Sequence, residues 1–531
     1  MFERSPDHRA ELLLPAGSLS KLKTAILYGA DAVYAGTPDL SLRNQSAFTL
    51  EELLEGVRFA HERGRRIYLT LNLFTHNRDV EKLPEFVATV RRVAPDGVIV
   101  SDPGVFDYLA EHAPELDLHV STQANACSWL TVASWARRGA KLCVLAREVS
   151  FAELAEIREK CPDVKLEAFV HGAMCMTYSG RCLLSNYLAE RGANQGNCAQ
   201  SCRWSYRVLA RTKDGAEVEI TPDNKDQFDF YLEEEFRPGE LMKIEEDDRG
   251  SYILNAKDLC LMPKLDDYLK LGVDSLKIEG RNKSEYYAAI TARAYRLAID
   301  AWYADPDGWS AEPYLREIFT LQNRGYSLGF HDGRLGRLAH NYERTDTVGG
   351  WLYAGAVERW EGRDMIFGLR NALKAGDVLE FLPPGQAEPI RLRLYEFENA
   401  ATGEVTDKAA PGQGRAIRIA AAAFHAEDPE TLQAILPPLS IARTEAVLSA
   451  ERQDLLHGNL MSLDMERGLR AGTEARPTLK GRAHTGKTPA QGLDSCCGLG
   501  CNGCHMFWHD DKYAAARDAL AAKKIGEKLE K

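Results

Sequence analysis

The stretch Glu11–Gly36 reads ELLLPAGSLSKLKTAILYGADAVYAG, and its internal rhythm decides the fold. Glu11–Ala16 (ELLLPA) is a short, nearly continuous apolar run, the pattern of a strand buried on both faces. LSKLKTAILYG then carries apolar residues at i, i+3 and i+4 and stops at a glycine, a common helix terminator. Ala32–Gly36 (AVYAG) is a second buried run. The unit repeats with LEELLEGVRFAHERG as the next helix. Further runs follow at Arg66–Asn72 (RIYLTLN), Gly97–Asp102 (GVIVSD), Asp117–Gln123 (DLHVSTQ), Lys141–Arg147 (KLCVLAR), Leu166–Gly172 (LEAFVHG) and Ser275–Arg281 (SLKIEGR). Strand–helix alternation predicts an α/β fold with a parallel sheet. Eight such runs match a (β/α)8 TIM-like barrel, and no G-x-G-x-x-G follows a strand to favour an open doubly wound sheet.

A barrel of this kind places its chemistry at the C-terminal ends of its strands. The polar residues there are Asn72, Asp102, Gln123, Arg147, His171, Glu279 and Arg281. Any one of them fits a satisfied polar loop residue, but together they ring one mouth. The gap between the seventh and eighth runs, 173–274, is far longer than an ordinary connection and reads as an insertion on the catalytic face.

With 531 residues the chain exceeds one ordinary domain. The barrel with its insertion is expected over 10–345. Short strand-like pieces separated by Gly and Pro (WLYAGAV, MIFGLRN, DVLEFLPPG, IRLRLYEF, GRAIRIA) predict a small β-barrel domain over 346–445. A polar linker is expected over 446–492, and a Cys-rich tail with a terminal helix over 493–531. Hydrophobic residues at 45% and charged residues at 27% describe a globular chain. No apolar run approaches the ~18 residues of a membrane helix. The polar start MFERSPDHRA lacks the apolar core of a signal peptide, so the cytoplasm is the expected compartment. The net charge of −12 excludes a protein basic all over, though not a local basic groove.

Twelve cysteines are unevenly spread. Cys175, Cys182, Cys198 and Cys202 follow a Cys-x6-Cys-x15-Cys-x3-Cys spacing inside the insertion. Four thiolates can hold a tetrahedral zinc or an iron–sulfur cluster, and only one pair here is close enough for a zinc knuckle. A second group comprises Cys496, Cys497, Cys501 and Cys504, with His505 and His509 nearby. It points to a small zinc or second-cluster module, against a redox-active or disordered tail. Cys127, Cys143, Cys161 and Cys260 stand apart and read as small buried residues.

Several motifs carry a family resemblance. Glu167-Ala-Phe169, Gly172, Cys175 and Ser179-Gly180-Arg181-Cys182 resemble the signature of the U32 "peptidase" family. The opening Glu11–Gly36 stretch, SLKIEGRNKSEYY from Ser275 and RGYSLGF at Arg324 are similar to its other blocks. SDPGVF at Ser101, FVHGAMCMTYSGRCLLSNYL at Phe169, NQGNCAQSCRW at Asn194 and YILNAKDL at Tyr252 resemble its prephenate-dependent tRNA uridine 5-hydroxylase branch. The resemblance implies an O2-independent hydroxylase that makes 5-hydroxyuridine at the tRNA wobble position (U34), with prephenate required. It also implies a [4Fe-4S] cluster on Cys175, Cys182, Cys198 and Cys202. The ubiquinone-hydroxylating branch takes a fourth ligand further downstream, which here makes Cys260 a rival to Cys202. The alternatives are a hydroxylase of another substrate, an rRNA base or a ubiquinone precursor, and a U32-type peptidase.

Prephenate is a dicarboxylate, so fixed cationic donors should hold it. Arg147, His171 and Arg281 are the candidates, with Glu279 as proton acceptor. No H-E-x-x-H or G-x-S-x-G is present, and a Cys–His pair built on His171 explains fewer residues than cluster ligation does. For a tRNA substrate, Arg203, Trp204, Tyr206 and Arg207 directly after the last central cysteine interleave charge with stacking surface, as do Lys277, Lys283, Tyr286 and Tyr287 near the eighth run.

Overall fold

The computed structural model describes residues 8–37, 48–72, 75–174, 257–333, 347–395, 397–411, 416–424, 428–450, 452–457 and 459, together with six three-residue strands between 209 and 252. Seven strands come first: β1 (Glu11–Ala16), β2 (Ala32–Gly36), β3 (Arg66–Leu71), β4 (Gly97–Val100), β5 (Leu118–Val120), β6 (Leu142–Val144) and β7 (Lys165–Gly172). Two more follow in this part of the chain, β8 (Asp258–Cys260) and β9 (Ser275–Ile278). β1 to β7 pair in parallel with their sequence neighbours, and β9 pairs in parallel with both β7 and β1, which closes an eight-stranded barrel. The expected (β/α)8 architecture is present.

Strand periodicity explains the two surfaces of the barrel. Leu12, Leu14 and Ala16 of β1 face outward into the main core beneath the helices, while Leu13 faces inward with Ala32, Tyr34, Tyr68 and Ile99. Helices α1 (Leu19–Leu27) and α2 (Leu50–His61) start where side chains satisfy the first free amides. Ser18 caps α1, and Thr49 with Glu52 forms a capping box on α2. Gly29 and Gly64, just beyond these helices, have positive φ, so the glycine stops operate as expected.

Several strands are shorter than their apolar runs because the polar ends do other work. Asp102 belongs to a helix, not to β4: its carboxylate accepts hydrogen bonds from the Gly104 and Val105 amides, at 2.8 and 3.1 Å. Thr122–Ala124 turn into a short 3-10 segment after β5.

The segment after β7 returns to the barrel earlier than 274. β8 adds antiparallel to the end of β7, and the helix Leu265–Leu271 leads into β9. A short strand, β10 (Tyr326–Ser327), pairs with β8, and Arg324 meets Asp258 at 2.8 Å with both side chains buried. The RGYSLGF block therefore anchors this added layer. A 20-residue helix, Glu285–Ala304, is capped by Ser284 and packs across the barrel closure. No helix among the described residues is long and apolar enough to cross a membrane.

The C-terminal part forms an eight-stranded antiparallel sheet, with strands β11 (Trp351–Glu361), β12 (Asp364–Leu369), β13 (Val378–Leu382), β14 (Ile390–Arg393), β15 (Phe397–Asn399), β16 (Val405–Thr406), β17 (Ala416–Ala420) and β18 (Ile441–Glu445). Their spatial order is β14-β13-β18-β11-β12-β17-β15-β16. The sheet curls around its own core, which includes Val357, Phe367, Leu379, Phe381 and Ile417. Sheet and barrel belong to one compact unit. Tyr28 joins them, donating to the Leu382 carbonyl at 2.5 Å and accepting from the Ile441 amide at 2.9 Å. Arg443 adds ion pairs to Glu380 at 2.7 Å and Glu317 at 3.0 Å. A second compact unit takes in Arg203–Asn255, whose described strands form three two-stranded antiparallel pairs.

Candidate active site at the barrel mouth

Two glycines set the geometry at the ends of β7 and β9. Gly172 has φ +117°, and a Cβ there would stand 2.4 Å from the Glu279 carbonyl oxygen. Gly280 has φ +153°, and a Cβ there would meet the Tyr287 ring at 2.5 Å. Only glycine allows this approach. The Glu279 backbone is fixed from both sides: its amide donates to the His171 carbonyl at 2.9 Å, and its carbonyl accepts from Tyr287 Oη at 2.7 Å.

The Glu279 side chain then meets Arg147. Arg147 Nη2 lies 3.3 Å from Glu279 Oε2, and both side chains are nearly buried. Tyr34 Oη reaches the same carboxylate oxygen at 3.4 Å and donates to the Ile278 carbonyl at 3.1 Å. The Arg147 guanidinium stands 4.0 Å from the Phe169 ring centroid, a cation–π contact that holds its plane. Arg281 donates to Thr70 Oγ1 at 3.3 Å and lies 5.7 Å from the centre of the Tyr34 ring. Arg147, Glu279 and Arg281 therefore converge on one place, with Tyr34 as their common neighbour.

Below the mouth lies a charged column that the sequence did not announce. Lys277 donates to Glu167 at 2.7 Å inside the barrel, with side-chain exposures of 5% and 1%. Its ammonium rests 4.4 Å from the Tyr34 ring centroid and 5.6 Å from that of Phe169. Ser275 donates to Glu167 at 2.8 Å and lies 3.3 Å from Glu11 Oε1. Glu11 also meets Tyr68 Oη at 2.8 Å and Arg66 at 2.5 Å. Burial pushes the Glu11 carboxyl up to about 7. Ser275 and Lys277, two apart in β9, share its inner face, but nothing local marks Glu11 and Glu167 as their partners.

His171 is placed apart from this cluster. The β7–β9 register shifts after the Phe169–Lys277 pair, so that Ile278 pairs with His171. The imidazole ends up buried among Tyr287, Tyr295 and Tyr326, at centroid distances of 5.9, 5.7 and 5.3 Å. Neither ring nitrogen has a hydrogen-bond partner among the described residues. Burial lowers its pKa to about 3, so the ring is neutral.

Cys260 shares this layer, paired with His171 across β8 and β7. Burial pushes its thiol up to about 12 and keeps it protonated. Tyr286 and Tyr287, expected along an RNA groove, are buried in the long helix, and Lys277 is inside the barrel. Lys283 is partly exposed beside the mouth, 5.5 Å from the Tyr287 ring. Cys175, Cys182, Cys198, Cys202, Arg203, Trp204, Tyr206, Arg207 and the tail cysteines Cys496, Cys497, Cys501 and Cys504 lie outside the described residues. Among the charged groups named in the mouth and column, four cations (Arg66, Arg147, Lys277, Arg281) face three carboxylates (Glu11, Glu167, Glu279), and the two guanidiniums at the mouth favour an anionic ligand there.

Comparison with known proteins places this architecture. The sequence model of peptidase family U32 matches residues 17–341. The chain is 40% identical over 435 residues to "tRNA hydroxylation protein P" of Escherichia coli (strain K12), covering 76% of this chain and 92% of that protein. It is 37% identical over 380 residues to "tRNA hydroxylation protein P1" of Bacillus subtilis (strain 168), covering 71% and 84%. The solved U32 peptidase Mk0906 aligns over 53% of this chain and 97% of its own, with 17% identity and a TM-score of 0.32. With the family match spanning more than half of its length, the chain belongs to peptidase family U32.

Proposed function

We propose that this protein hydroxylates tRNA, converting the wobble uridine to 5-hydroxyuridine without O2, with prephenate as co-substrate. The observation that carries the reading is the converging Arg147–Glu279–Arg281 cluster at the mouth of a U32 barrel whose relatives are named for tRNA hydroxylation. Two guanidiniums suit a dicarboxylate, because each can offer paired charge-assisted hydrogen bonds. Arg147 and Arg281 hold the anion, and Glu279 accepts the proton released at the uridine. Tyr34 orients Glu279, and the Lys277–Glu167 pair supports Tyr34 from below.

Cys175, Cys182, Cys198 and Cys202 supply the all-thiolate donor set of a [4Fe-4S] cluster, which when bound would provide electron transfer at the site. Cys175 follows the end of β7 by three residues in the sequence. Cys260 is buried in β8 opposite His171 of β7, and its place inside this packed layer favours Cys202 as fourth ligand. RNA contacts fall to Arg203, Trp204, Tyr206, Arg207 and Lys283, and the tail cysteines hold zinc or a second cluster. A peptidase built on a Cys–His pair is disfavoured, because the His171 ring is sealed among tyrosines.

The test is purification without oxygen, with iron, sulfide and zinc quantified for the wild type and a Cys175→Ala/Cys182→Ala variant. About four irons and four sulfides per chain, lost in the variant, support the reading. About eight irons place a second cluster in the tail. Zinc without sulfide would reopen the hydrolase alternative.

A further inference from the structure

The column beneath the mouth has a hydrogen-bond arithmetic that a purely structural ion pair does not need. Ser275 has a single hydroxyl proton and two carboxylate neighbours, Glu167 at 2.8 Å and Glu11 at 3.3 Å. When that proton goes to Glu167, the Glu11 contact is complemented only if Glu11 itself carries a proton and donates to Ser275. When it turns to Glu11, Glu167 must take a proton from elsewhere, and Lys277 Nζ is 2.7 Å away. The chain of groups thus has two complete arrangements that differ by one shifted proton.

We propose that Glu11, Ser275, Glu167 and Lys277 form a proton relay along the barrel axis, which carries protons released at the mouth to the closed end of the barrel. This rests on the hydroxylation reading, balanced as C–H + H2O → C–OH + 2 H+ + 2 e−: an external electron acceptor would take the two electrons by way of the cluster, and the carbon's own hydrogen leaves as one of the two protons. Glu279 takes that proton at the mouth. Lys277 gives one proton to Glu167 and, as a neutral amine, takes the proton from Glu279. Glu279 follows β9 by one residue and Tyr34 lies between the two groups, its hydroxyl 3.4 Å from Glu279 Oε2 and its ring 4.4 Å from the Lys277 ammonium, a gap within the swing of a four-carbon stem. Glu167 passes its proton to Ser275 while Ser275 passes its own to ionised Glu11. Every group except Glu279 and Glu11 returns to its starting state, and one proton has moved from the first to the second. Glu11 discharges beside Arg66, whose side chain is 47% exposed at the closed end.

The groups facing Glu11 fit an acceptor of this kind. Arg66 favours its ionised form, Tyr68 donates to it from β3, and Glu167 and Asp31 oppose its charge. Burial outweighs these and brings the carboxyl to about 7, where it can both take and release a proton at neutral pH. Lys277 balances Glu167, and nearby His119 stays neutral because burial lowers it to about 3. These four residues act through Glu279, so they are positioning and proton-holding groups.

The test compares the full-length, cluster-loaded wild type with Glu11→Gln and Ser275→Ala. Carboxyl infrared spectra of protein carrying labelled glutamate are titrated between about pH 5 and 9. Hydroxylation of tRNA is followed across the same range. The relay predicts one carboxyl band titrating near pH 7, missing in Glu11→Gln and displaced in Ser275→Ala. It predicts that wild-type kcat rises with pH through that value as Glu11 becomes able to accept. In Glu11→Gln this limb vanishes and kcat falls about tenfold or more, with KM little changed. A merely structural role would lower stability and leave the pH profile in place. Glu11→Gln with the wild-type profile and kcat within about twofold overturns the relay, as does the absence of any carboxyl titrating near 7. A wild type inert towards tRNA but with the coupled titration overturns the hydroxylation reading and not the proton coupling.

Discussion

Replacing Lys277 by Met should cost more stability than any surface change to this barrel, and the reason lies in what it leaves behind. At 2.7 Å the Lys277–Glu167 attraction is about 6 kcal/mol at an effective dielectric constant of 20. Desolvation of both charges offsets most of this, so the intact pair adds little net stability. The methionine side chain would fill much of the same volume but strand an ionised Glu167 in the barrel, at a cost of about 3–5 kcal/mol. Adding Glu167→Gln removes the stranded charge while still accepting the Ser275 hydrogen bond, and should return stability to within about 1 kcal/mol of wild type. Urea denaturation of the three proteins, followed by near-UV circular dichroism, measures this at pH 7.5. A single variant within 1 kcal/mol of wild type, or a double variant no more stable than the single, would refute the reasoning.

Four further outcomes follow from the site. Gly172→Ala must place a Cβ 2.4 Å from the Glu279 carbonyl at φ +117°, so about 1–3 kcal/mol of stability should be lost together with most of the turnover, read by thermal melting and nucleoside analysis. Glu279→Gln should retain iron content and stability while lowering kcat by about a hundredfold, and Arg147→Met should act mainly on the KM for the anionic co-substrate. His171→Phe should match or exceed wild-type stability at pH 7.5, because the imidazole nitrogens have no partner among the described residues. His171 has a folded pKa near 3 against an unfolded 6.5, so acid costs the wild type stability through this residue from about pH 6.5 downward. At pH 5 the His171→Phe variant should have avoided about 2 kcal/mol of that loss, measured by denaturation at the two pH values.

The barrel was legible because its signal is local and repeated. Each apolar run is one strand, each amphipathic segment one helix, and caps such as Thr49–Glu52 announce themselves in three residues. The mouth was legible in part, because Arg147, Glu279 and Arg281 end strands and a barrel gathers strand ends. His171 was misplaced relative to them by a register shift between β7 and β9, a feature that a run of apolar letters does not carry. The role of Tyr34 was hidden because an aromatic residue in a buried run reads as core. Lys277 resembled a surface cation just past a strand, when in fact it is inside β9 and pairs across the barrel with Glu167, more than a hundred residues earlier in the chain. Such pairs depend on barrel closure and have no local signature.

The central claim is that the barrel mouth and the central cysteines together hydroxylate tRNA. The most direct measurement is mass-spectrometric quantification of 5-hydroxyuridine in tRNA from a bacterial strain lacking its own tRNA hydroxylation protein. The strain would carry this protein as wild type, as Glu279→Gln, or as Cys175→Ala/Cys182→Ala. The account predicts that the wild type restores the nucleoside and that neither variant does, although all three proteins accumulate. A wild type that leaves tRNA unmodified, or variants that restore it fully, would contradict it.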